Sequence, residues 1–293
     1  MLFARDYRGR GRLLVSGPDR ARFLHGLVTN DIQVLQPGQG CRAALLSIKG
    51  KLVGDLRIYC LEESLLLELD AEALAPVRQL FESHLIMDDV TIADSPTGEW
   101  GIYGDEAAAR LGELAPLPLH HHVERAGLRI AATREFGQPG FRLFGDHHPV
   151  DAPLLPDVEA EILRVEAGEP RFGLDMGPDH LPIESRLDEA ISFTKGCYLG
   201  QEVIVRVTQQ GRINRKLMGL RLAGDHPAER GATLCSPERA GAGSVTSSVV
   251  SPRFGPIALA YLHRTVWQPG TPLTLQEAAD QRTAIVADLP FAI

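Results

Sequence analysis

A chain of 293 residues exceeds what one small core usually organises, so two or three packed units are expected. With 44% apolar and 23% charged residues it is composed like a globular protein, which excludes a wholly disordered chain. Its 38 acidic and 30 basic side chains give a net charge of −8, which argues against a general nucleic-acid binder, a class that carries a basic excess.

The first strand is expected at Leu13–Val15. Ser16-Gly-Pro-Asp19 then opens a helix over Arg20–Val28, with Phe23, Leu24, Leu27 and Val28 on one face. Cys41–Leu69 reads as a meander: strands at 43–48, 52–59 and 65–69, with turns at Lys49-Gly-Lys51 and Glu62-Glu-Ser64. Helical spacing returns over 73–86. Strands follow at 90–93 and 100–103, a helix at 105–114, and paired strands at 128–132 and 141–144. Asp157–Ala167 is a helix stopped by Gly168. From Arg215 onward short strands alternate with Gly and Pro, at 217–222, 232–235, 243–250, 257–262, 273–275 and 283–287, the spacing of a small barrel. The pattern is an α+β protein followed by a small all-β unit.

The cysteines, Cys41, Cys60, Cys197 and Cys235, lie far apart and form no Cys-x-x-Cys pair, so reduced thiols are expected rather than a zinc site or a disulfide framework. No apolar run approaches the roughly 20 residues of a membrane span. The Arg-rich start, Met1–Arg12, has the charge of a targeting presequence, but Asp6 interrupts it and Gly11–Ser16 leads directly into a strand. A mature, cytoplasmic start is therefore expected. His120-His-His122 and His147-His148 lie beside Pro-rich and Gly-rich sequence and read as surface loops, with no metal expected.

The stretch richest in chemistry is Lys195-Gly-Cys197-Tyr198-Leu-Gly200-Gln201-Glu202. A thiol sits between two glycines with a cation two residues before it, and a neighbouring cation favours thiolate. Gln201 and Glu202 add an amide and a carboxylate. Residues 203–207 have strand propensity, yet Gly200-Gln-Glu equally opens a helix whose N-terminus would favour thiolate further. The plain alternative is a tight turn around a small buried side chain.

This stretch resembles the signature of the YgfZ subgroup of the glycine-cleavage T-protein superfamily. The resemblance extends to Leu163-Arg-Val-Glu166-Ala-Gly168, Pro170-Arg-Phe-Gly173, Leu181-Pro-Ile-Glu184, Ala190–Lys195, Arg212-Ile-Asn-Arg-Lys216 with Gly219-Leu220, Phe23-Leu-His-Gly-Leu-Val-Thr-Asn-Asp31 and the strand–turn–strand at 45–59. It implies three domains in a ring around a central folate-binding channel. Residues 1–212 would form two interleaved α+β subdomains, and residues 213–293 the C-terminal β-barrel. It also implies tetrahydrofolate or a one-carbon derivative as cofactor, and iron–sulfur proteins or their assembly machinery as partners.

A pterin edge offers an amino group and an N–H side by side, which a carboxylate accepts in paired geometry. The resemblance gives that role to Glu166. Asp70 stands where aminomethyltransferases carry a folate-contacting Asn. Tyr198 either packs on a ring face or joins a core. Arg206, Arg212, Arg215 and Lys216 form a cationic group suited to folate carboxylates, or simply a solvated face. Lys195, Gln201, Glu202 and Arg206 complete the expected folate-side set, and Cys197 is the expected working thiol. The aminomethyltransferases carry an Asp-Asp pair where this chain has Gly54-Asp55. The lost carboxylate counts against aminomethyl transfer, although Asp55 remains available as an acid–base group. The expected function is a folate-binding accessory factor for iron–sulfur cluster assembly or repair. The alternatives are a folate-dependent aminomethyl- or methyltransferase and a scaffold without ligand.

Overall fold

In the computed structural model, which describes residues 2–112, 114–145, 151–209, 211, 213–277 and 281–292, the chain divides into two units. One comprises Met1–Leu155, Gly177–Pro182 and Leu187–Val205; the other comprises Pro156–Met176, Ile183–Arg186 and Arg206–Ile293.

The first unit runs through β1 (Phe3–Asp6), β2 (Gly11–Ser16), α1 (Arg20–Leu27), β3 (Gly40–Leu46), β4 (Leu52–Cys60), β5 (Ser64–Leu69), α2 (Ala71–His84), β6 (Thr91–Asp94), β7 (Glu99–Tyr103), α3 (Ala107–Arg110), β8 (His122–Arg125), β9 (Leu128–Glu135) and β10 (Gln138–Phe144). Two five-stranded sheets result, ordered β3-β4-β5-β2-β6 and β1-β7-β10-β9-β8. The meander expected at 41–69 supplies the first three neighbours of the former sheet. The helix expected at 105–114 is only one turn, because Gly112 leaves helical geometry at φ +80°. β1 and β8 were not foreseen: both are four residues long and carry charged side chains, so neither alternates clearly.

Strand alternation gives the β3-β4-β5-β2-β6 sheet two different faces. On one, Leu56, Ile58, Leu67 and Leu69 are sealed, together with Ala73, Val77 and Phe81 of α2 and Leu24 of α1. The other carries charges in register: Arg42 opposite Arg57, Arg57 opposite Glu68, and Glu68 opposite Arg12. Three cations and one anion in a row cannot be buried without more negative charge. Asp55 on β4 supplies it for Arg42, and the second sheet supplies it for Arg12 and Arg57. Glu99 on β7 meets Arg12 at 3.2 Å, and Glu135 on β9 meets Arg57 at 2.5 Å. Arg142 on β10, 1% exposed, joins Glu99 and Glu135, each at 2.6 Å. Tyr7 and Tyr103 donate to the other Glu135 oxygen at 2.7 and 2.9 Å. These donors and the two guanidinium groups hold Glu135 far below the usual carboxylate range despite its burial.

The second unit contains α4 (Asp157–Ala167) and β11 (Arg215–Leu222), β12 (Thr233–Ser236), β13 (Arg239–Ser251), β14 (Gly255–His263), β15 (Pro272–Gln276) and β16 (Gln281–Ala287), which close into a barrel ordered β11-β14-β13-β12-β15-β16. All six barrel strands were legible in the sequence. Small and branched residues alternate inward, among them Leu220, Leu234, Ala242, Ala258, Ala260, Leu262 and Leu275. On the outside, Val165 of α4 packs with Leu217, Ile257, Leu259, Leu289 and Phe291. Gly168, at φ +70°, ends α4 in the left-handed cap expected of it. Among the described residues no helix is long and apolar enough to cross a membrane.

Arg142→Met should leave Glu99 and Glu135 short of counter-charge and cost about 3–5 kcal/mol. Urea unfolding should show this as a lower midpoint at unchanged slope.

Candidate functional site

Lys195–Glu202 is held from three sides. Lys195 Nζ donates to the carbonyls of His25, Val28 and Asn30 at 2.6, 2.7 and 2.9 Å, and Leu199 N–H donates to Gly26 O. Those carbonyls belong to the last turn and exit of α1, which lack partners within the helix, and a cation there also complements the helix dipole. Burial pulls the Lys195 amine down to about 8, with Asp31 and Cys41 opposing the shift. Its three ammonium hydrogens are all taken, so the lysine acts as an anchor for the loop. Gly200 sits at φ +78°, and a Cβ there would lie 2.4 Å from Ser47 O; only glycine lets the loop meet the Ser47–Gly50 turn this closely. Tyr198 is buried, with Lys195 Nζ 5.2 Å above its ring, and its N–H is accepted by Gln201 Oε1. Tyr198 is thus packed inside the loop. Cys197 remains exposed between its two glycines. The open choice at 203–207 resolves to helix: α5 spans Gln201–Gln209, with Glu202 and Arg206 exposed along it.

Thr29 and Asn30 brace the same region. Thr29 Oγ1 donates to Ala190 O and accepts Ala44 N–H, while Asn30 Nδ2 reaches Arg42 O. Thr-Asn-Asp is therefore a local crosslink between the end of α1, β3 and the segment leading to Lys195.

Asp55 and Gly54 point to opposite faces of β4. Arg42 grips Asp55 through both carboxylate oxygens, at 2.9 and 2.6 Å, and this pairing holds its pKa below the usual carboxylate value against the effect of burial. A carboxylate so paired is a weak base. A Cβ on Gly54 would lie 2.6 Å from Val77 Cγ2 of α2. A carboxylate at 54 would thus enter the helix-packed face, away from Asp55. Asp70 closes β5 and precedes α2; Arg10 Nη1 lies 2.6 Å from its Oδ1.

In the second unit, Arg164 and Glu166 both reach β13. Arg164 joins Ser247 Oγ, Asp175 and Glu161 at 2.7, 2.7 and 2.6 Å. Glu166, 6% exposed, accepts from Ser251 Oγ at 2.5 Å and from Arg253 at 3.2 Å. Arg-x-Glu thus clamps α4 to the barrel, and one carboxylate oxygen serves each partner. Arg215 pairs with Glu184 at 3.2 Å, and Lys216 lies beside it on β11. Arg212 and His147-His148 lie outside the described residues. His120 and His122, expected on a surface loop, are instead built into the fold. His122 begins β8, is 4% exposed, and bonds Cys60 O through Nε2 at 2.9 Å. Burial, with Arg57 and Arg42 nearby, brings His120 down to about 4.

Sequence reasoning missed Arg10, Arg12, Arg57, Glu68, Glu99, Glu135 and Arg142. Part of their signal was available: Arg57, Glu68 and Arg142 are charges inside strands with apolar residues on both sides.

Residues 215–292 match the family described as the glycine cleavage T-protein C-terminal barrel domain. The chain is 31% identical over 284 residues to an aminomethyltransferase of Rubrobacter xylanophilus, covering 88% of this chain and 75% of that protein. The chain belongs to the aminomethyltransferase superfamily. Within it, an aminomethyltransferase of Nostoc sp. is 28% identical over 98% of this chain and 83% of its own length. The mitochondrial iron–sulfur cluster assembly factor IBA57 of Mus musculus is 33% identical over 75% of this chain and 66% of its own. Aminomethyltransferase T of the glycine cleavage system from Bartonella henselae superposes with a TM-score of 0.89 over 99% of this chain and 86% of that one. At 23% identity that likeness establishes the superfamily's fold, as expected from the sequence.

Gly54→Asp should not create an acidic pair. It should lower stability by about 3 kcal/mol or more, as an unpaired charge forced into the α2 face. Urea unfolding measures the loss, and turnover with tetrahydrofolate and a methylamine donor should not rise. A second test uses pH. His120 titrates lower in the folded protein than in the unfolded chain, so between pH 6.5 and about 4 the unfolded chain binds more protons and stability falls as pH falls. His120→Asn, which tolerates the φ of +65° at this position, should flatten that part of the pH–stability curve.

Proposed function

We propose that the chain is a tetrahydrofolate-binding accessory protein that supports iron–sulfur cluster assembly or repair, with Cys197 as its working thiol. The observation that carries this reading is the Lys195–Glu202 loop. It is anchored through Lys195, Leu199 and Gly200, yet leaves Cys197 exposed. Similarity to a mitochondrial iron–sulfur cluster assembly factor supports the same direction. A fixed, accessible thiol suits contact with a partner protein or a reactive adduct better than packing in a core.

The donor set allows a folate. A pterin edge needs an acceptor with capacity to spare. Asp70 has it: Oδ1 holds Arg10, Oδ2 takes no hydrogen bond among the described residues, and the side chain keeps 12% of its surface. Glu166, assigned by family resemblance, already serves Ser251 and Arg253, so any ligand contact must use its remaining lone pairs. When bound, tetrahydrofolate supplies nitrogen atoms that carry a one-carbon unit. Asp70 then orients the ring by accepting its N–H groups, and Lys195 keeps the thiol loop on α1.

Aminomethyl transfer is the second reading. It is favoured by the relatives named aminomethyltransferase and by the position of Gly54, which removes nothing from the face that carries Asp55. It requires turnover with tetrahydrofolate and a methylamine donor that Asp55→Asn abolishes.

Calorimetric titration with tetrahydrofolate should show saturable binding. Asp70→Ala and Glu166→Ala should each weaken it by roughly 10- to 150-fold, the worth of one charge-assisted hydrogen bond. Glu166→Ala also releases α4 from β13, so its unfolding midpoint must be read alongside. Cys197→Ser should bind folate normally yet fail to restore cluster-enzyme activity in cells lacking the protein. Full restoration would end the thiol role, and absence of binding by folded wild type would end the folate reading.

A further inference from the structure

Asp70 stands where an aspartate ordinarily caps its own helix. α2 starts at Ala71, and Asp70 has the extended geometry of an N-cap, φ −65° and ψ 142°. Its carboxylate should accept an N–H from the first turn. It makes no such bond; the Ala73 N–H is accepted by the Asp70 main-chain oxygen instead. The carboxylate is turned toward Arg10.

Arg10 is itself immobilised. Its N–H is accepted by Tyr7 O at 2.9 Å, which fixes the tight connection from β1 to β2. Its Nε is paired with Glu68, which is fully buried. Glu68 in turn holds Arg57 at 3.0 Å, and Arg57 holds Glu135 at 2.5 Å. Asp70 is therefore the outer end of a chain of ion pairs, Glu135–Arg57–Glu68–Arg10–Asp70. Its side chain and that of Arg10 keep 12% and 18% of their surface, while Glu68 keeps none. One Asp70 oxygen is consumed by the guanidinium. The other is aimed by a buried charge rather than by the helix it precedes.

An amide in this position could both donate and accept, and could turn over to suit its ligand. A carboxylate paired with arginine can only accept. We propose that Arg10 is a positioning residue that makes Asp70 a fixed, acceptor-only contact, so that the site selects ligands presenting N–H donors there. This rests on the reading that Asp70 touches the folate.

The test compares wild type, Arg10→Met, Asp70→Asn and the double variant. Each is titrated calorimetrically with tetrahydrofolate, and the amide signals of Glu72 and Ala73 are followed by NMR without ligand. Arg10→Met should weaken tetrahydrofolate by about tenfold or more, the scale of one misplaced charged hydrogen bond. The Glu72 and Ala73 amides should meanwhile shift as the freed carboxylate returns to cap α2. The second loss should be small in the double variant, where no carboxylate remains to be aimed. A folate analogue with methyl in place of the pterin amino group should bind wild type more weakly and be penalised less by Asp70→Asn. If Arg10→Met does not fold, Asp70→Asn, which keeps Arg10 and Glu68 paired, carries the test: undiminished affinity would overturn the proposal. Wild-type binding that Arg10→Met leaves within twofold, with unmoved Glu72 and Ala73 amides, would overturn the role of Arg10 alone. No binding by folded wild type would overturn the folate reading and the selectivity together.

Discussion

A row of charges across the β3-β4-β5-β2-β6 sheet organises the first unit. Arg42, Arg57, Glu68 and Arg12 face the same way in register, and such a row has no stable burial on its own. Asp55 answers Arg42 within the sheet, while Glu99 and Glu135 from the second sheet bring the negative charge for Arg12 and Arg57, and Arg142 balances them in turn. Burying one sheet's charged face therefore requires the other sheet in one register only, because a shift of one residue would turn the partners away. Apolar contacts such as Tyr59 against Phe144 add area, but the ion pairs fix which residues meet.

The same logic separates support from contact in the candidate site. Lys195, Thr29, Asn30 and Arg164 all have motif character in the sequence, and Arg42 stands beside Asn30 in the fold. Each is committed to backbone carbonyls or to a neighbouring carboxylate or hydroxyl. Cys197 and the second oxygen of Asp70 are left over once those commitments are counted. Superfamily motifs here are largely scaffolding, with a few groups exposed by the scaffold.

Much of this was legible beforehand. Barrel strands announced themselves by turn residues at short spacing, and α4 by its apolar face and its terminal glycine. The Lys195–Glu202 stretch stood out by its glycines and charges, and the structure shows how it is anchored. What escaped was long-range. Nothing near Lys195 says that its ammonium belongs to a helix end about 170 residues upstream. Strand propensity at Val203–Val207 lost to the helix opened by Gly200 and Gln201, because propensity is a weak local preference beside packing. His120 and His122 escaped because Pro-rich flanks look like surface, whereas His122 is held inside with Nε2 on the Cys60 carbonyl and Nδ1 beside Arg129. Gly54 was seen as a missing acid, and only the direction of its Cβ toward Val77 shows which face that acid would have occupied.

The reach from Lys195 to α1 also sets an order of events. The three carbonyls it satisfies lie 165 to 170 residues earlier in the chain. A contact of that span closes a very long loop, whose entropic cost must be met before any reward is returned. As the chain emerges from the ribosome, α1 waits with its C-terminal carbonyls on water until nearly two hundred residues exist. The thiol-bearing segment is thus among the last parts of its unit to become ordered, and Cys197 reaches its fixed place only when the scaffold around it is already complete.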